Sequence, residues 1–296
     1  MDSSNNEYCL EAITPSTDVR RLGAAQFDGA GRPITPLGKL MEAVGAGDLT
    51  ELSHMIRLND GERPTSPSWV QVYRELIEWG VLLSILRDKD FGTDTIIVCD
   101  GLLRSKVFAA DRFTRYRRAV DEAIQSQWSK HHRRVYLVGL AKHSAVLDRY
   151  RLAMALERVL TTQYPAYLAV PRELEAEAYA WDEYGHAEQF VGGRMYLVKF
   201  GSRERDPVWP VDVFIPQEQH AQVILGCLLA DAVDGFPVPF YPRCLQRAHE
   251  NAALVDFDLD ILQDEIMAGL RGVLRREAPT LDPFQFSDVD TSTRRY

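Results

Sequence analysis

Two short stretches of the chain are continuously apolar and rich in branched side chains: Thr95-Ile96-Ile97-Val98-Cys99 and Val135-Tyr136-Leu137-Val138-Gly139-Leu140. Runs of this length without polar alternation are the pattern of strands covered on both faces. The first reads as a buried central strand. Each run stops abruptly at polar residues, Asp100-Gly101 in one case and Ala141-Lys142-His143-Ser144 in the other. A helix is expected before the first run, from Trp69 to about Arg87, with Ser68 as its N-cap and Val72, Leu76, Val81, Leu82 and Ile85 among its apolar positions. A basic helical stretch, about Asp111 to Ser129, separates the two runs. Strands alternating with helices predict a mixed α/β fold around one main sheet.

The rest of the chain extends this pattern. A weak strand, Leu22 to Phe27, ends in the turn signal Asp28-Gly29. Helices are expected over Asp148 to Leu160 and in the acidic region 171–190, and strands over Arg194 to Phe200 and Val211 to Ile215. Gln219 to Ala232 reads as an amphipathic helix closed by Asp234-Gly235. Phe236-Pro237-Val238-Pro239-Phe240 is expected to be rigid and extended, because each proline biases its predecessor away from the α region. Helices follow over Arg243 to Val255 and Leu259 to Arg276. Residues 1–20 read as a flexible segment, 21–278 as one domain, and 279–296 as a tail.

Composition narrows the classes of function. Acidic residues outnumber basic ones 43 to 34, a formal net charge of -9, which argues against a protein that coats nucleic acid by bulk charge. No G-x-x-x-x-G-K-S/T loop and no G-x-G-x-x-G occurs, so a self-contained P-loop ATPase or a Rossmann dehydrogenase is not expected. The four cysteines, at 9, 99, 227 and 244, form no C-x-x-C pair, which disfavours a disulfide framework or thiolate zinc site. Met1 to Glu11 lacks a signal-peptide pattern and no apolar stretch is long enough to span a bilayer, so a cytoplasmic protein without membrane contact is expected.

The polar residues at the strand ends suggest chemistry. Ligands of α/β sheets gather beyond strand ends. A carboxylate there, next to a glycine, suits a hard divalent cation, although Asp-Gly is also a common turn dipeptide. Asp100 and Asp28 both have this setting. On the helix between them, Glu75 and Glu78 share one broad side, and Glu78 lies nearer the apolar seam. Lys142 either snorkels to solvent or faces a scissile phosphate. Between Arg104 and Arg134 nine Lys/Arg stand against three acids, a local excess of six beside Asp100. That excess suits a phosphodiester substrate, and Arg104, Lys106, Arg112, Arg115 and Arg118 are the candidate DNA contacts. Tyr116, Trp128 and Tyr136 lie nearby as possible stacking groups, with a core role the commoner fate of such residues.

Taken in order, these segments resemble the NurA-type nucleases. Ala24-Ala25-Gln26-Phe27-Asp28-Gly29-Ala30 is similar to the family's first strand, and Ile96-Ile97-Val98-Cys99-Asp100-Gly101-Leu102-Leu103 to its second Asp-Gly-Ser-Leu motif. Val138-Gly139-Leu140-Ala141-Lys142 resembles its Gly-Val-Ser-Lys strand. Gly235-Phe236-Pro237-Val238-Pro239-Phe240, then Ala248-His249, resembles its Gly-Tyr-Pro-Tyr-Pro-Leu and Ala-His signature. The chain departs from the family where serine gives way to Ala30, Leu102 and Ala141, changes that spare every carboxylate.

The resemblance implies an RNase H-like core, a mixed central β-sheet flanked by helices and elaborated by helical insertions. It implies metal ligation by Asp28, Glu78 and Asp100, with Mn²⁺ (or Mg²⁺) as cofactor. Lys142 would neutralise charge on the phosphate, and His249 would orient or protonate a group at the site. A further acid falls on Asp148, with Asp212 as the alternative, and Glu75 is the alternative to Glu78. The implied activity is hydrolysis of DNA as a 5'-3' exonuclease, a single-strand endonuclease, or both. The implied partners are DNA, a HerA-type hexameric ATPase and a second copy of the chain, in repair or anti-phage defence. A catalytically weak adaptor of such a translocase and an RNA-processing enzyme are the alternatives.

Overall fold

The computed structural model describes residues 35–52, 68–179, 190–252, 265 and 268. Asp28 and its strand, the helix expected over Leu259 to Arg276 (apart from 265 and 268) and the tail lie outside the described residues. The chain divides into two units, Met1–Asn251 and Ala252–Tyr296. The elements that follow belong to the first, apart from Ala252 at the end of the last helix.

Five strands form one mixed sheet: β1 (Thr95–Asp100), β2 (Val135–Leu140), β3 (Ala166–Ala169), β4 (Gly193–Lys199) and β5 (Val208–Phe214), in the order β1-β2-β5-β4-β3. β1 and β2 are parallel, paired from Thr95 with Val135 to Asp100 with Leu140. The other three pairings are antiparallel. The expected mixed α/β architecture, a central sheet flanked by helices, is thus observed. Among the described residues β1, expected as a central strand, is the outer strand of this sheet, and the strand expected over Leu22 to Phe27 lies outside the described residues. The side chains of β1 are covered on both faces of the sheet. Ile97 packs with the helices of one face, and Ile96 and Val98 pack toward the other.

The first face is covered by α1 (Pro36–Val44), α3 (Ser68–Asp88) and α4 (Arg112–His131), with the single turn α2 (Leu49–Leu52) beside them. α1 is bounded by strong signals. Thr35 accepts a hydrogen bond from the Gly38 amide at 3.0 Å, and Gly45 closes the helix in the left-handed region at φ 67°. α3 is apolar almost all round (Val72, Leu76, Ile77, Val81, Leu82, Leu83 and Leu86 are buried) because it packs on neighbours on several sides. α4 carries one buried stripe, Phe113, Tyr116, Val120, Ala123, Ile124 and the polar Gln127, at helical spacing.

The opposite face carries α7 (Ala221–Ala232), entered through a 3-10 turn over Ile215–His220, and α8 (Arg243–Ala252). α5 (Ala145–Leu156) and α6 (Arg172–Tyr179) pack near β4 in a smaller cluster around Val146, Met195 and Leu197. The segment 236–240, expected to be extended, is instead a compact loop with a cis Phe236–Pro237 bond. The Gln246 side chain holds it, accepting from the Val238 amide at 3.2 Å and donating to the Val238 and Tyr241 carbonyls at 3.2 and 2.7 Å. These side-chain bonds from α8 hold the loop to the helix. No described helix is long and apolar enough to cross a membrane.

Candidate functional site

The parallel register of β1 and β2 sends both strands out of the sheet at the same edge, Asp100 beside Leu140. Gly101 follows at φ 140°, a conformation that a side chain would oppose. The chain then crosses closely over β2. A Cβ on Gly139 would collide with the Gly101 carbonyl oxygen and lie 2.9 Å from the Leu103 nitrogen. Glycine at 139 therefore lets the post-β1 loop lie flat on the sheet and places Leu102 to Ser105 where they sit.

A small cleft opens at this edge. Glu78 and Trp79 from α3 line it together with Cys99, Asp100, Gly101 and Leu102. Asp100 accepts a hydrogen bond from the Tyr241 hydroxyl at 3.2 Å. The Lys142 ammonium stands 5.6 Å from the centre of the Tyr241 ring, and the Trp209 ring packs on the same tyrosine at 5.0 Å. Asp100, Glu78 and Lys142 are thus brought to one edge of the sheet. Tyr241 joins them unforeseen. Its signal in the sequence is its place directly after the Gly235–Phe240 segment.

The helix phase separates the two glutamates. Glu75 turns inward, where it accepts from the Ser105 hydroxyl and from Trp79 Nε1 at 3.2 Å. Burial raises its carboxyl above the ordinary range, against the lowering effect of those two bonds. Glu78, one turn on, lines the cleft and lies 3.9 Å from the exposed Arg74 guanidinium.

A second cluster of charge lies under the post-β1 loop. Arg104 donates to Asp212 of β5 from Nε at 2.9 Å and from Nη2 at 2.5 Å, and to Glu175 of α6 at 3.3 Å. Arg172 reaches Glu175 at 2.8 Å. Both carboxylates are fully buried, and the Arg104 side chain is 9% exposed. Burial raises the Glu175 carboxyl, and the two arginines oppose it. Asp212 is therefore neutralised from within. Arg104 is withdrawn from the expected DNA-facing set, because its guanidinium is spent on these acids.

Other basic residues are also partly committed. Arg112 donates to the Val44 and Gly45 carbonyls at the end of α1 and pairs with Glu51 at 3.4 Å. Arg115 pairs with Asp111 at 3.0 Å. These arginines complete a helix C-terminus, where cations are favoured. Arg118 is exposed on α4 and Lys106 is half-buried. Asp148 is exposed in the first turn of α5, and His249 is exposed in the last turn of α8. Neither is among the residues lining the cleft.

Among the described residues no group of three His, Cys, Asp or Glu gathers to hold a metal ion. Glu78 and Asp100, which carry the oxygen donor type that Mg²⁺ and Mn²⁺ take, are among the residues lining the cleft, and the third expected ligand, Asp28, lies outside the described residues. Comparisons with protein families, with curated proteins and with solved structures give no match for this chain.

Proposed function

We propose that the protein is a metal-dependent DNA nuclease of NurA type with an RNase H-like core, acting with a HerA-type hexameric ATPase and as a homodimer. The observation that carries the reading is that Glu78 and Asp100, singled out as metal ligands, line one cleft at the end of β1. Carboxylate oxygens are the donors that a hard divalent cation takes. When bound, Mn²⁺ or Mg²⁺ supplies Lewis acidity toward the phosphodiester.

The chain's own groups do the rest. Glu78 and Asp100 would hold the cation, with Asp28 as the third ligand that the family resemblance implies. Tyr241 fixes the Asp100 carboxylate by its hydroxyl hydrogen bond, so one oxygen has a set direction. Lys142, exposed beside Tyr241, is placed to neutralise charge growing on the phosphate oxygens. Arg118 and Lys106 remain the candidate backbone contacts on this side.

The test is incubation of the full chain with labelled single- and double-stranded DNA, in Mn²⁺, Mg²⁺ or EDTA, with and without its ATPase. Metal-dependent cleavage that EDTA abolishes is expected. No cleavage under any of these conditions favours the second reading, a catalytically weak adaptor of a translocase. Preference for RNA or a hybrid over DNA would move the substrate to RNA processing.

A further inference from the structure

At the other end of β2 lies a groove of about 830 Å³, within the range of ligand sites. Val135 and Tyr136 form its floor, while Asp100 lies beside Leu140 at the far end of the strand pair. The length of β2 separates the two places by roughly 17 Å. The groove is therefore distinct from the cleft.

One wall is the end of α4 and the other is the 3-10 turn over Ile215–His220. Both are fixed in place. Gln217 accepts from the Leu137 amide at 2.9 Å and donates to the Val135 carbonyl at 2.7 Å, tying the turn to β2. Gln127 donates to the carbonyls of Leu86 and Lys89, each at 2.9 Å, tying the end of α4 to α3. The Arg134 amide donates to Asp94 at 2.8 Å and anchors the backbone between them. The site is formed before any ligand arrives, which lowers the cost of binding.

Its side chains pair flat rings with cationic or imidazole groups. Trp128 is 51% exposed, a large apolar ring left facing water. The Arg134 guanidinium lies 5.6 Å from its ring centre, and His132 meets it edge-on at 5.8 Å. On the floor, Tyr136 and His220 make a second edge contact at 5.5 Å. Arg133 stands beside Arg134 on the rim, while Asp121 and Glu122 line the α4 side. Asp121 is occupied by Gln125 at 2.9 Å. Positive charge is thus confined to one side of a ring-lined trough.

We propose that this groove binds an unpaired nucleic-acid strand, with bases stacking on Trp128 and Tyr136 and phosphates meeting Arg133 and Arg134. Stacking on aromatic rings next to backbone cations is the general means of holding single strands without reading sequence. A duplex cannot use it, because its bases already stack on one another. The acids Asp121 and Glu122 repel the backbone from the α4 side and so set its path along the arginines. The inference needs neither a metal nor cleavage and stands apart from the nuclease reading.

The test measures binding of a fluorescent oligo(dT) to the full chain in EDTA, by anisotropy, across a salt series. Trp128→Ala is expected to weaken binding about ten-fold. The double variant Arg133→Ala/Arg134→Ala is expected to flatten the log–log salt dependence by about 1.4, the share of two phosphate contacts on a single strand. Thermal melting of each variant guards against misfolding, and Trp128→Phe, which keeps a ring, is expected to retain most of the affinity. Unchanged oligo(dT) affinity in both the Trp128 and the arginine variants overturns the proposal. So does binding of thymidine monophosphate, or of the matching duplex, as tight as that of the oligomer.

Discussion

Asp100 and Asp212 are acids on strands of the same sheet, with β2 between them, one in register with Leu140 and the other with Gly139. Their surroundings differ completely. Asp212 is fully buried, gripped by two nitrogens of Arg104, in a cluster where two arginines balance two carboxylates. Asp100 lies half-buried at the rim of a cleft it shares with Glu78, with a tyrosine hydroxyl on one oxygen. A carboxylate taken out of water needs a fixed counter-charge. Asp212 has that counter-charge buried beside it, whereas Asp100 and Glu78, neither of them fully buried, are among the residues lining one small cleft. The residue type is the same, but Asp100 ends its strand whereas Asp212 lies inside its own. What surrounds the second oxygen separates scaffold from site.

The sharpest way to break this comparison is to delete each acid in turn. Asp212→Ala leaves Arg104 buried without its main partner and is expected to cost about 3–5 kcal/mol in urea unfolding. Asp100→Ala should stay within about 1 kcal/mol of the wild type, since Tyr241 and water can satisfy each other at the rim. Equal losses in the two variants would erase the distinction. Next in size, Lys142→Ala is expected to slow DNA cleavage about 100-fold with an unchanged melting curve, the scale of one lost charge-stabilising donor. A fall in stability without a fall in rate would make Lys142 a packing residue.

The two glutamates of α3 sharpen the comparison at closer range. Glu78→Gln is expected to lose about ten-fold or more in metal-dependent cleavage, whereas Glu75→Gln should keep the wild-type rate, because Glu75 is bonded to Ser105 and Trp79. The smallest effect is on pH dependence. Burial raises the folded-state Glu75 carboxyl above its ordinary value of 4.5, so its ionised form costs stability. That cost is complete above the raised value and vanishes as the pH falls to 4.5. Glu75→Gln should therefore gain stability at neutral pH, and the gain should shrink on acidification through that window. A gain that grows on acidification would reverse the assignment.

The sequence carried the elements well where pattern and propensity agree. β1, β2, α3 and α4 appear within a few residues of their expected bounds because an apolar run, a cap or a helical stripe marks each one. The place of β1 in the sheet was not legible. A strand roofed by helices on both faces reads like a central one whether or not it has a neighbour on each side. The local basic excess overstated the DNA-facing charge for a related reason. Arg104 meets Asp212 across 108 positions of chain, and Arg112 meets the end of α1 across 67 and 68, so no local count could subtract them. The loop at 236–240 was misread because Gln246, eight residues beyond Val238, sets its shape. Asp100 and Lys142 were legible because strand ends and the register of parallel strands place them at one edge.

Glu78 and Asp100 are proposed to form the acidic part of a metal site at the end of β1. Calorimetric titration of Mn²⁺ into the full chain and into Asp100→Asn, at neutral pH and without DNA, tests it most directly. The account predicts saturable binding in the wild type that weakens at least about ten-fold in Asp100→Asn, with matching melting curves in EDTA. Identical isotherms for the two proteins, or no saturable binding in the wild type, would contradict it.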